Sequence, residues 1–260
     1  MPVDVGPVGL AASLTLVAVA VALSLRQRLG LARSILWATT RAIVQLFAVG
    51  AALALVIAPD APLLYAWLWV AAMMLVAADV VRRRAPEVPG LGRVALAAFA
   101  ASAVVTLGVI FGLGIFPSQG RTVVPLAGMM VGNAISATVL AARRVVEELR
   151  DHRDEVETRL ALGQPAPVAA RPYLAAALRT ALIPQIESTK AVGLVALPGA
   201  MTGLILAGVQ PLDAVLVQAV VMFLVLGAVA TSTTVIAIGT RRRLFTPDHR
   251  LVPMLRPAQN

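Results

Sequence analysis

Apolar runs of about 20 residues recur along this chain, and no other feature constrains its fold as strongly, because a run of that length crosses the hydrocarbon core of a bilayer as a helix. Seven such spans can be marked, near residues 7 to 25, 42 to 58, 62 to 81, 94 to 116, 123 to 142, 191 to 209 and 212 to 238. The expected fold is all-α: one transmembrane domain over residues 1–260, built as a polytopic bundle of about seven helices. With 59% hydrophobic and 13% charged residues and a mean hydropathy of +0.87, the composition excludes an ordinary soluble domain.

The basic residues set the orientation, since Arg and Lys are retained on the cytoplasmic side. Of 22 Lys and Arg, four (Arg26, Arg28, Arg33, Arg41) follow span one and four (Arg82, Arg83, Arg84, Arg93) follow span three. Seven lie between Arg143 and Arg179 after span five, and five in the tail from Arg241. Only Arg121, on the opposite side, and Lys190, at a membrane edge, stand apart. One parity explains this, with the N-terminus outside and the C-terminus cytoplasmic. The net charge of +9 is then a topology signal with anionic lipid headgroups as partners. Nucleic acid is excluded as a partner because the arginines are spread over four loops without interleaved aromatics. The chain has no Cys, so disulfides and thiolate metal sites are absent. The first span lacks a basic leader and ends in Arg26 and Arg28, as an anchored span does rather than a cleaved signal.

External connections are short, whereas residues 143–183 form a long cytoplasmic loop between spans five and six, and 240–260 a cytoplasmic tail. Val145, Leu149, His152, Val156 and Leu160 recur at spacings of three and four, making one apolar stripe. Gly163 ends this helix, Gln164 to Pro167 turns the chain, and a second helix from about Val168 to Ile183 stops before Pro184. A solvated charged hairpin and a partner-docking lever both fit this periodicity.

Spans five and six share a pattern. Pro125 precedes Gly128-Met129-Met130-Val131-Gly132, and Pro198 precedes Gly199-Ala200-Met201-Thr202-Gly203. Proline removes a helical hydrogen bond, and glycines four apart admit a neighbouring backbone. One reading is close helix packing. The other is a pair of interrupted helices that bring carbonyls and the thioethers of Met129, Met130 and Met201 to a path near the midplane. Asn133 adds an amide that has to face protein or water. Glu187 and Lys190 sit on one helical face at the cytoplasmic edge of span six and either neutralise each other or leave Glu187, beside Gln185, as an oxygen ligand. Met130 and Glu187 are the candidate metal ligands of the path. Asp79 pairs with the Arg82 to Arg84 cluster, and neither His152 nor His249 falls within a span.

No phosphate-binding loop is present, and Lys190 is the only lysine. Nor does any nucleophile, base and acid set fall in the membrane core. The chain is therefore expected to be a transport subunit and not an enzyme, binding no cofactor of its own.

Glu157, Leu160, Gly163 and Pro165 resemble the cytoplasmic signature loop of ABC-transporter permeases, in which a Glu stands six residues before a Gly and the loop docks a nucleotide-binding subunit. The runs R-A-I-V-Q-L (Arg41 to Leu46), A-G-M-M-V-G-N-A (Ala127 to Ala134) and ALIPQIESTKAVGLVALPGAMTGLILAG (Ala181 to Gly208) resemble, in that order, the FetB family of such permeases. That family is related to bacterial iron exporters and to plant proteins of aluminium tolerance. The resemblance implies a multi-pass inner-membrane permease that exports a cytoplasmic substrate, with iron the leading candidate and a nucleotide sugar the alternative. It also implies ATP and Mg on a separate ATPase subunit that Glu157 to Pro167 would dock, and flexing at Pro198 and its flanking glycines. A homodimer enclosing one path is the expectation for a single seven-span chain. A gradient-driven secondary transporter would need an embedded titratable group, and Asp79 and Glu187 are both expected near interfaces. A membrane scaffold without a path would tolerate any apolar residue at Asn133 and the methionines.

Overall fold

The computed structural model describes residues 6–58, 61–193 and 197–252. Residues 59–60 of an expected external loop, 194–196 of the expected sixth span and 253–260 of the expected tail lie outside the described residues. Every extended element among the described residues is helical, and an isolated bridge joins Phe245 to Leu251.

Among the described residues five helices are long and apolar enough to cross a membrane: α2 (Ala32–Val56), α3 (Leu63–Arg84), α4 (Leu91–Gly112), α5 (Gly120–Asp151) and α10 (Pro211–Leu244). A sixth, α1 (Pro7–Arg26), carries a shorter apolar stretch, Ala11–Arg26. Helix α2 starts ten residues before the expected span, which places Arg41 inside a helix and not in a loop. Its first turns contain Arg33, Ser34, Thr39 and Thr40, which lower the local hydropathy without disfavouring a helix. Helices α1 and α2 pack on each other, and the hairpin meets the rest of the chain through α3 and, at Val56 and Ile57, the start of α5.

The core forms where α10 packs on α4 and α5, flanked by α3. Small residues dominate these contacts: Ala95, Ala98, Ala134, Ala141, Ala228 and Ala237 are fully or almost fully buried, which lets backbones approach closely where lipid gives no hydrophobic drive for association. Gly239 is required by this approach, because a Cβ there would run into Val94 Cγ1 of α4. Hydroxyls tie the same helices together. Ser102 Oγ donates to the Ala228 carbonyl at 3.2 Å, and Thr138 Oγ1 lies 3.2 Å from Ser232 Oγ.

The arginine clusters gather at one end of the bundle. Arg143 faces Glu87 at 3.9 Å, the Arg243 guanidinium lies over Gly90, and Arg93 and Arg242 share a groove. At the opposite end Val56 and Ile57 meet Gly120.

Two further expected boundaries move. Helix α5 runs through Pro125 without breaking and continues past the expected end at residue 142 to Asp151, so half of the expected loop helix prolongs span five. After His152 come α6 (Arg153–Ala161) and the single turn α7 (Ala166–Ala169). Helix α8 (Arg171–Ala191) then passes through Pro184, where the expected second loop helix was to stop. Packing outweighs the lost hydrogen bond: Tyr173, Ala177 and Ala181, one turn apart, bury a stripe of α8, and the helix lies against α5 and α10. The expected sixth span is consequently not one helix. Ala191, its first residue, ends α8, and its second half holds the eight-residue α9 (Gly199–Leu206).

Candidate functional site

The divided span opens a cavity of about 270 Å³. Asn133 and Met129 of α5 line it, with Gln185, Ser188 and Thr189 from the end of α8, Pro198 and Gly199 from the start of α9, and Gln218 and Met222 of α10. No acidic or basic side chain contributes to the lining. Three amides, two hydroxyls and two thioethers supply the polar chemistry.

The amides are held in complementary ways. Asn133 donates its Nδ2–H to the Met129 carbonyl at 2.8 Å, leaving its Oδ1 to offer. Gln218, 8% exposed, uses its Oε1 to accept the Met201 backbone N–H at 3.3 Å. That N–H belongs to the first turn of α9 and has no partner within the helix. Gln218 thus caps α9 from another helix and keeps its amide N–H₂ free to meet a ligand. Thr189 Oγ1 donates to the Gln185 carbonyl at 2.8 Å.

The depth of the cavity follows from the sequence of its walls. Asn133 lies near the middle of the uncharged stretch between Arg121 and Arg143, and Gln218 lies five residues from Asp213. At 1.5 Å per residue, Asn133 is about 20 Å and Gln218 about 11 Å from the ends of their helices away from the arginine clusters. The cavity therefore sits within the apolar layer. Ser188 and Thr189 share it, so Glu187 and Lys190, adjacent to them on α8, lie at the same depth. Along α8 the pair is therefore level with the cavity and not with the arginine-rich end of the bundle. Glu187 accepts from Lys190 Nζ at 2.8 Å, and the pair faces away from the cavity.

Of the expected path residues, Met129 and Asn133 meet at the cavity, with Pro198 and Gly199 at the helix break. Met130 does not: it is fully buried, and its Sδ accepts a hydrogen bond from Thr106 Oγ1 of α4 at 3.2 Å. Met201 enters through its backbone. Gly128, Gly132, Gly199 and Gly203 have no atom within 3.4 Å of where a Cβ would stand, so neither glycine pair marks a close backbone approach. Among the described residues no group of three or more His, Asp and Glu could hold a metal ion. Met130 and Glu187, one inside the core and the other on an outer face, do not form one site.

Helix α8 joins the cavity to the charged segment at the other end. There Tyr173 is the anchor. Its hydroxyl donates to Glu155 Oε2 of α6 at 2.7 Å, its ring stacks on His152 at 5.0 Å, and the Arg159 guanidinium lies 5.8 Å from its centroid. Burial, then the bond to Glu155, pushes the Tyr173 hydroxyl above its usual pKa, so it stays a donor. Glu157 is exposed and pairs with Arg153 at 2.6 Å. Leu160 packs on the core. Gly163, at φ 85°, supplies the left-handed turn after α6 that other residues disfavour, and Pro165 caps α7.

Gln218, Ser188, Thr189 and Met222 also line the cavity, though none was a candidate from the sequence. Gln218 carried a usable signal, being an amide inside an apolar run, where a polar group is costly and seldom idle.

Residues 7–245 match the family described as "Uncharacterised protein family (UPF0014)". The "UPF0014 membrane protein STAR2" of Oryza sativa is 40% identical over 85% of this chain and 78% of its own length. The "Probable iron export permease protein FetB" of Escherichia coli is 33% identical over 94% of this chain and 93% of its own length. "Protein ALUMINUM SENSITIVE 3" of Arabidopsis thaliana is 35% identical over 88% and 83%, respectively. No solved structure gives a significant match. The chain belongs to the UPF0014 family and is a multi-pass membrane protein.

Proposed function

We propose that this chain is the permease subunit of an ABC transporter that exports a cytoplasmic substrate, with iron in its ferrous form the leading substrate. It works with a separate ATPase subunit, which carries the ATP and Mg, and with a second copy of itself. In this reading the arginine-rich end is cytoplasmic.

One observation carries the reading. Helix α8 is a continuous rod from Tyr173, where the charged segment is anchored, to Ser188 and Thr189 at the cavity, a span of about 24 Å. A partner that pushes on Glu157, Gly163 and Pro165 therefore moves the wall of the cavity at the helix break. The relative named as an iron export permease supports the substrate. The thioethers of Met129 and Met222 with amide and hydroxyl oxygens make an intermediate ligand set, suited to ferrous better than to ferric iron.

A second substrate, a nucleotide sugar or another polar metabolite, is favoured by the absence of a carboxylate from the cavity lining, since amides and hydroxyls hydrogen-bond such a molecule directly. The test is ATP hydrolysis by the complex of this chain with its ATPase subunit in lipid. Stimulation by ferrous iron supports the iron reading, and stimulation by a nucleotide sugar alone replaces the substrate while keeping the class. Loss of any effect of this chain on ATP hydrolysis overturns the class.

A further inference from the structure

Helix α8 carries charge at a depth where its neighbours carry none. The outward faces of α10 at comparable depth expose Leu216 and Phe223, 67% and 64% exposed, the surface expected of a helix that meets lipid. On α8 the outward face instead runs Arg179, Ile183, Ile186, Glu187, Lys190, with the Glu187 and Lys190 side chains 60% and 67% exposed. Helix α8 is also not among the helices apolar enough to cross a membrane alone.

The Glu187–Lys190 bond lowers the cost of this arrangement without removing it. Each ion keeps most of its surface open, and a charge facing hydrocarbon is costly. Ser188 and Thr189, between them in sequence, share the cavity with mid-span Asn133, so both charges stand on α8 at the level of the cavity. The face therefore meets water. The opposite side of the same turn presents Gln185, Ser188 and Thr189 to the cavity, so this part of α8 is polar on both sides.

We infer that the α8 face bearing Ile183, Ile186, Glu187 and Lys190 lines a water-filled route into the membrane layer, and that α8 is the partition between this route and the cavity. The inference rests on the reading of the chain as a permease. It assigns the ion pair to the wall of the route: Glu187 and Lys190 hold each other while the route is empty, and a permeating ion has to compete with one of them for the other.

The chain contains no cysteine, so single-cysteine variants report alone. Ile183→Cys and Ile186→Cys, in membranes containing the complete transporter, are reacted with a membrane-impermeant cationic thiosulfonate, with Leu216→Cys and Phe223→Cys as references. We expect both α8 variants to react about tenfold faster than the references or more, because a permanent cation is excluded from hydrocarbon. Reaction no faster than the references overturns the inference. So does oxidative cross-linking of Ile186→Cys between copies without access by the reagent, which makes the face a dry contact. The assay reads no ATP hydrolysis, so failure of the ABC reading leaves the labelling result standing and is seen separately.

Discussion

Gln218 of α10 and Met201 of α9 are joined across the helix break, the Gln218 Oε1 accepting the Met201 N–H at 3.3 Å. An eight-residue helix is marginal by itself, and this bond satisfies one of the three N-terminal amides (Gly199, Ala200, Met201) that have no partner within the helix, Pro198 having no N–H to offer. The same side chain lines the cavity, so the position of α9 and the polarity of the cavity depend on one residue.

Replacing Gln218 with Leu leaves the volume similar and removes the bond, at a cost of about 1 kcal/mol with a buried amide left unpaired. The variant should insert and assemble, show a slightly lowered unfolding midpoint in detergent, and lose most transport. Transport at the wild-type level would remove Gln218 from the site.

Glu157→Lys should uncouple transport from ATP hydrolysis while the protein stays folded in the membrane. The Arg153–Glu157 pair is exposed and spaced i,i+4, worth about 0.5 kcal/mol at most, so stability barely changes. Unchanged stimulation of the ATPase subunit by this variant would count against a docking role for α6.

The two adjacent methionines separate packing from path. Met129 lines the cavity, whereas Met130 is enclosed and bonded by Thr106. Met130→Leu keeps the volume and should cost less than about 1.5 kcal/mol with transport retained, since Thr106 also donates to the Ser102 carbonyl at 2.8 Å. Met129→Leu should insert equally well and weaken metal efflux. The reverse ranking of efflux would place the path on the other side of α5.

Gly239→Ala should destabilise the bundle by about 1–3 kcal/mol through overpacking, because the added methyl meets Val94. The double variant with Val94→Ala should recover most of the loss in unfolding midpoint. A stable single variant would show that α4 and α10 separate at no cost.

Much of the bundle is legible in the sequence because apolar length decides where helices cross. The ends of α3 and α10 lie at Arg82 to Arg84 and Arg241 to Arg243, where charge stops a span. The misplaced boundaries share a physical origin. Proline and charge act locally, whereas α8 passes Pro184 because its two halves are held by neighbours on either side. The start of α2 moved for the converse reason, since Arg41 interrupts hydropathy and not helix formation. At the candidate site, Met129, Asn133 and Pro198 were visible as polar or helix-breaking residues in apolar runs. Ser188 and Thr189 were not, because which face of α8 meets α5 is set by the Tyr173, Ala177, Ala181 stripe, seen only once the helix is known to continue.

In the proposed function, ATP hydrolysis by a partner drives substrate outward through this chain. The direct measurement is ferrous iron movement in sealed vesicles containing both subunits with the ATPase facing out, where export from the cell appears as uptake. Iron accumulation should require ATP and be mostly lost in Gln218→Leu. Accumulation that proceeds without ATP on an imposed ion gradient would contradict it.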